Sequence, residues 1–174
     1  IVEPFDGMQL RQMIPALLDL DGPVYLRYDR AVAPCFYGDD YRYQLGRADI
    51  LRKGSDVTLI SSGIMLTQCL EAAQILKENG IEARVLNMHT IKPIDQEAII
   101  QAARETRGII TVENHNIIGG LGSAVAEVLA ENYPAPMRRI GIRDRFGEVG
   151  NRAYLRQCLG IDTGDIVKAA MEWK

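Results

Sequence analysis

From Leu45 onward the chain repeats one pattern: a short aliphatic or β-branched run, a turn, then an amphipathic stretch of helical period. Strands are predicted at residues 48–51, 57–61, 83–87, 108–113 and 137–142, and helices at 65–79, 95–106 and 123–132, with Ser123 near the N-cap of the last. The helix at 65–79 carries Leu66, Cys69, Leu70, Ala73 and Leu76 on one face, the spacing of a side buried against a sheet. Gly80 is placed to cap its C-terminus. Two shorter helices, separated by Gly160, are predicted between residues 151 and 174. Strands that alternate with helices of about 10–15 residues specify an open, mostly parallel sheet with helices on both faces. The predicted fold class is α/β, with five or six strands in one domain over residues 45–174.

The first part of the chain reads differently. Residues 1–4 are extended, and Phe5-Asp6-Gly7 is a turn. Met8, Leu10, Met13, Ile14, Leu17 and Leu18 then recur at helical spacing, with Pro15 imposing either a kink or a late helix start. After the turn at 21–23, residues 24–28 are predicted to form a buried strand. This strand–helix–strand piece is too short to be a domain alone, and a chain that opens with Ile1 inside a strand reads as part of something longer. Residues 31–43, rich in Pro, Gly, Asp and Tyr and lacking either period, are predicted to be a linker whose aromatic side chains face the protein.

Composition narrows the function classes. With 47% hydrophobic and 25% charged residues among 174, the chain can bury a core and is not of the disordered type. A net charge of −3 gives no electrostatic reason to expect nucleic acid or an anionic membrane. No apolar run approaches the roughly 20 residues that span a bilayer. Cys35, Cys69 and Cys158 lie far apart without a CxxC pair or Cys/His cluster, the pattern of reduced packing thiols in a cytoplasm rather than of a metal site.

Four groups of residues could carry chemistry. Ile117-Ile118-Gly119-Gly120-Leu121-Gly122-Ser123 lies between a predicted strand and a predicted helix. Its glycines and the free N–H groups of the helix start suit an anion, or the glycines simply permit a tight, closely packed turn. The spacing is neither GxGxxG nor a P-loop. His89 and His115 both follow strands, where α/β sheets place their ligand crevice, and either could serve as a base or tie one loop to its neighbour. Glu113, two residues before His115, is an alternative centre of a polar network. Arg27 and Arg30 end the predicted strand at 24–28, where two guanidinium groups could clamp a phosphate or pair with acids such as Asp29. Arg143, Asp144, Arg145 and Glu148 read as a solvated or interfacial mixed-charge loop.

Several stretches together resemble transketolase, specifically the C-terminal subunit of its two-subunit form. They are Asp21-Gly22-Pro23-Val24-Tyr25-Leu26-Arg27, Asn87-Met88-His89-Thr90-Ile91-Lys92-Pro93-Ile94-Asp95, Glu113 to Ser123, and Asp144-Arg145-Phe146-Gly147-Glu148. The likeness extends more loosely to deoxyxylulose-phosphate synthase and to the beta subunits of 2-oxoacid dehydrogenases. It implies that residues 1–31 are the end of a pyrimidine-binding domain, 32–44 a linker, and 45–174 the family's third domain, which takes no direct part in cofactor binding.

The same resemblance implies thiamine diphosphate and Mg²⁺ in the complete enzyme. None is expected on this chain, because the family's Gly-Asp-Gly motif and its activating glutamate are absent from the sequence. The implied activity is transfer of a two-carbon ketol unit between sugar phosphates, as in the pentose phosphate pathway. The fragment itself would serve dimerisation and domain packing beside a separate N-terminal subunit. Arg30 followed by Pro34 fits the family's substrate-phosphate arginine, with Arg27 as its neighbour; no catalytic residue or metal ligand carries over. The alternative is a non-catalytic assembly domain of a related enzyme such as a 2-oxoacid dehydrogenase beta subunit.

Overall fold

The computed structural model describes residues 1–29 and 34–173. Five strands form one sheet: β1 (Asp49–Arg52), β2 (Val57–Ser61), β3 (Ala83–Asn87), β4 (Ile109–Asn116) and β5 (Met137–Ile142). Their spatial order is β1-β3-β2-β4-β5, with β2 to β5 parallel and only the edge strand β1 antiparallel. Helices α2 (Leu66–Glu78), α3 (Gln96–Glu105) and α4 (Leu121–Asn132) connect the parallel strands, and α5 (Arg152–Leu159) and α6 (Thr163–Met171) follow. The predicted α/β architecture is the observed one.

Alternation of side chains along the strands divides the core into two layers. Val57 and Leu59 of β2 meet Leu66, Cys69, Leu76 and, from α6, Ile166 on one face. Ile60 of the same strand meets Leu86, Ile99, Ile109, Leu121 and Val125 on the other, under α3 and α4. Every residue of β2 is buried, as expected of a central parallel strand covered on both sides. Each fully buried Leu or Ile contributes about 1.5–3 kcal/mol of transfer free energy, so these two layers dominate the stability of the sheet. Burial pushes the thiol of Cys69 up to about 12, which makes it the packing residue its sequence context suggested.

The N-terminal helix α1 (Gly7–Leu18) is capped by Asp6, whose carboxylate accepts from Gln9 N. Pro15 lies within it without ending it; Pro15 and Arg11, four residues earlier, are both exposed, so water can satisfy the carbonyl that the proline ring leaves unpaired. Residues 24–28 depart from expectation. Instead of a buried strand there is a single bridge between Leu26 and Val2, and Val24, Tyr25 and Tyr28 are exposed. The segment pairs along one edge, with Leu26 at the bridge only half-buried. The helix predicted at 123–132 starts two residues earlier than its apolar period implied. The helix begins at Leu121 with Gly120 as N-cap, so Ser123 is the third helical residue. Among the described residues no helix is long and apolar enough to cross a membrane.

Candidate functional site

The loop after β2 leads to α2 on one face of the sheet, and the loop after neighbouring β4 leads to α4 on the other. Between such strands the chain diverges and leaves a crevice at their C-terminal ends. Here the crevice measures about 150 Å³ and is lined by Glu3, Arg27, Ser62, Glu113, Gly120 and Leu121, among others.

Two carboxylates of the chain itself occupy its floor. Glu113, 5% exposed, accepts Leu121 N at 2.8 Å on Oε2 and Gly122 N at 2.9 Å on Oε1. The N–H groups that the glycine-rich loop offered to an anion are thus engaged by Glu113. Burial pushes the Glu113 carboxyl above its ordinary range, opposed by the two N–H bonds and by His115 and Arg139. Gly120 is needed because a Cβ there would stand 2.0 Å from Glu113 Oε2. Gly119 N donates to Ser123 Oγ at 3.0 Å, and that hydroxyl donates to Ile117 O at 3.0 Å, so Ser123 closes the loop on itself.

Glu3 enters from the N-terminal segment. Its Oε2 accepts Ser62 Oγ–H at 2.6 Å, and its Oε1 pairs with the Arg27 guanidinium. Ser62 leads into Gly63 at φ 55°, a left-handed turn that also brings the backbone against Glu3. Arg27 donates further to Asn114 Oδ1 at 2.9 Å and Asn114 O at 3.2 Å. Arg27 therefore stitches the N-terminal segment to the end of β4. Arg30, the other arginine singled out, lies outside the described residues.

A second polar cluster lies at the β1 edge. Asp49 Oδ2 accepts Tyr37 OH at 2.6 Å, Tyr41 OH at 2.9 Å and Gln9 Nε2 at 3.1 Å, joining the linker and α1 to the sheet. Asp6 adds to this by accepting Phe36 N and Tyr37 N, each at 2.8 Å. Burial, followed by the bond to Asp49, pushes the Tyr37 hydroxyl well above the ordinary phenol range. Of the linker aromatics expected to face the protein, Tyr37, Tyr41 and Tyr43 are half-buried, whereas Phe36 is 43% exposed with its ring against Phe5.

His89 is fully buried, its Nδ1 3.0 Å from Thr90 Oγ1 and its Nε2 3.7 Å from Asp49 Oδ2, beyond hydrogen-bond reach. Burial lowers its pKa, with Asp49 and Asp95 acting in the opposite direction. His115 lines the crevice but is exposed and turns to Asn116 O, 2.9 Å from Nδ1. The mixed-charge loop is exposed and holds an Arg145–Glu148 ion pair at 3.2 Å.

Glu3, Ser62 and Asp49 escaped notice in the sequence because nothing local marks them, and Asn114 stood within the Glu113–Ser123 stretch without a role of its own. Their partners lie 24 to 87 residues away in the first network. Among the described residues no three His, Cys, Asp or Glu side chains converge to hold a metal ion. With the α4 N–H groups taken by Glu113, these residues do not fit a magnesium-bound diphosphate.

The sheet order and the crevice at its switch point define an α/β domain whose sequence has known relatives. Residues 46–166 match the transketolase C-terminal domain, and the chain belongs to that family. It is 48% identical over 172 residues to the 6-deoxy-6-sulfo-D-fructose transketolase subunit of Clostridium sp. strain MSTE9, covering 99% of this chain and 53% of that protein. It is 45% identical over 174 residues to an apulose-4-phosphate transketolase subunit of Phocaeicola vulgatus, covering 99% and 55%. A solved split-gene transketolase, described as an inactive beta4 tetramer, superposes with a TM-score of 0.94 at 41% identity over 99% of this chain and 56% of that one. The transketolase of Campylobacter jejuni, at 20% identity and a TM-score of 0.74 over 98% of this chain and 26% of that one, shares the fold. The chain spans about half the length of the transketolase subunits it matches.

Proposed function

We propose that this chain is the C-terminal portion of a thiamine diphosphate-dependent transketolase that moves a two-carbon ketol unit between sugar phosphates. The observation that carries the reading is the end-to-end likeness to a split-gene transketolase, over 99% of this chain. A separate N-terminal subunit would supply the Mg²⁺-diphosphate site, and the present chain would serve domain packing and homo-oligomer assembly. Residues 1–31 would close the pyrimidine-binding domain, 32–44 link, and 45–174 form the third domain. The Asp49 and Asp6 networks support this division, since they fasten the linker to both sides.

Arg30 is proposed to bind the substrate's terminal phosphate. Arg27 is the weaker candidate, because Glu3 and Asn114 already engage its guanidinium. The relatives' names, a 6-sulfo sugar and a sugar 4-phosphate, both denote substrates with a tetrahedral anionic group, which a guanidinium fork recognises. The test is reconstitution. The complete protein is mixed with an N-terminal transketolase subunit, thiamine diphosphate and Mg²⁺, and ketol transfer from a ketose phosphate to an aldose phosphate is followed. Activity that requires both subunits is expected. Failure of the complete pair to transfer a ketol unit among any tested sugar phosphates would overturn the reading.

A further inference from the structure

His89 follows β3 at the edge where the linker crosses β1. The Tyr43 ring stands 4.9 Å from the imidazole, centre to centre. Beside it, Gly46 N donates to Thr90 Oγ1 at 3.2 Å, and Tyr43 OH lies 3.5 Å from the same hydroxyl. Under this cover the histidine is fully buried.

The ring has no good place for a second proton. Its Nδ1 is 3.0 Å from Thr90 Oγ1, whereas Nε2 makes no well-aligned hydrogen bond among the described residues. Asp49 Oδ2, 3.7 Å from Nε2, already accepts Tyr37 OH, Tyr41 OH and Gln9 Nε2. Asp95, the other carboxylate acting on the ring, accepts Ala48 N at 2.8 Å and Ala98 N at 3.0 Å, with the Arg47 guanidinium 3.9 Å away. Glu3 meets the histidine through its backbone, Glu3 N donating to His89 O at 2.8 Å. A second ring proton is therefore met either by drawing Asp49 from its three donors or by opening the Tyr43 cover to water. Both undo the attachment of the linker.

We propose that His89 makes the linker an acid-released clasp: closure of residues 36–47 over the β1 edge requires the neutral imidazole, and a second ring proton releases it. Burial outweighs Asp49, Asp95 and the Arg47 backbone and lowers the His89 pKa. The closed form thus binds the proton more weakly than an open form in which the ring meets water. The stabilisation of closure is complete above the ordinary value of about 6.5 and is lost as pH falls through the lowered one.

The test is hydrogen exchange in the full chain, corrected for its intrinsic pH dependence, together with NMR titration of both imidazoles. The amides to follow are Tyr43, Gly46 and Ala48, which the closed linker directs to Gln12, Thr90 and Asp95. Between about pH 7.5 and about pH 5.5 their protection should fall about tenfold, while amides of β2, β3 and β4 keep theirs. His89→Gln should hold the linker's protection constant over that range. His115→Gln, which removes the chain's other histidine, should keep the native dependence. In the native chain the midpoint of linker release should coincide with that of the His89 ring, a comparison that holds even where His89→Gln disturbs the fold. Linker protection that stays constant on acidification, that tracks His115, or that falls only together with the strands would overturn the proposal.

Discussion

Glu113 shows how one side chain can decide what a loop is for. A strand-to-helix turn rich in glycine normally presents free N–H groups, but two of them here are bound by a carboxylate from the preceding strand. Replacing Glu113 with Ala should leave those N–H groups unpaired and cost about 1–3 kcal/mol, read from urea unfolding. Gly120→Ala should destabilise by a similar amount, roughly 1–3 kcal/mol, because its methyl group would meet Glu113 Oε2 and force the carboxylate from its donors. His89 supplies a pH dependence. Its folded pKa is depressed, first by burial, so the unfolded chain binds the extra proton. Its contribution is therefore fully present above the unfolded value of about 6.5 and is lost as pH falls through the folded pKa. Urea midpoints measured from pH 8 down to about pH 5 should fall for the native chain and less steeply for His89→Gln; parallel profiles would discount the histidine.

At the scale of elements, the N-terminal segment behaves as a strap across the mouth of the sheet. Val2 bridges both Leu26 and Thr90, Glu3 is held by Ser62 and Arg27, and Arg27 reaches Asn114. Arg27→Ala removes the cation that compensates a Glu3 side chain only 8% exposed, while leaving both core layers untouched. Hydrogen exchange should accelerate in residues 1–4 and 24–29 with protection retained in β2, β3 and β4; uniform loss of protection would mean that the strap is integral to the sheet. Element positions were readable because each is local. The 3.6-residue period fixed α2, and the strands at 57–61, 83–87 and 137–142 have the bounds their apolar runs imply. The reading failed where burial was inferred from composition alone. Val24 and Tyr25 are apolar or aromatic, yet they face outward because their segment is paired along one edge only.

For the whole molecule, the decisive measurement concerns the proposed phosphate arginine. Arg30→Ala in the complete enzyme should lower kcat/KM for phosphorylated sugars roughly ten- to a hundredfold, the worth of a lost charge-assisted hydrogen bond, mainly through KM. Unphosphorylated sugars should lose less, and an equal loss for both classes would leave Arg30 a structural ion-pair residue. Titration of residues 1–174 with thiamine diphosphate and Mg²⁺ should give no binding heat, and micromolar affinity would show that the domain division is misplaced. The sequence alone determined the α/β class, the order of its elements and the transketolase likeness, because hydrophobic period and turn residues act over a few neighbours. Only the tertiary structure decided the use of the switch-point crevice. Glu3 meets Ser62 across 59 residues and Arg27 meets Asn114 across 87. Which carboxylate finds which donor depends on the strand order β3-β2-β4, which brings those distant strand ends side by side. Local propensity carries no record of that order, since it is set by which faces the crossover helices cover.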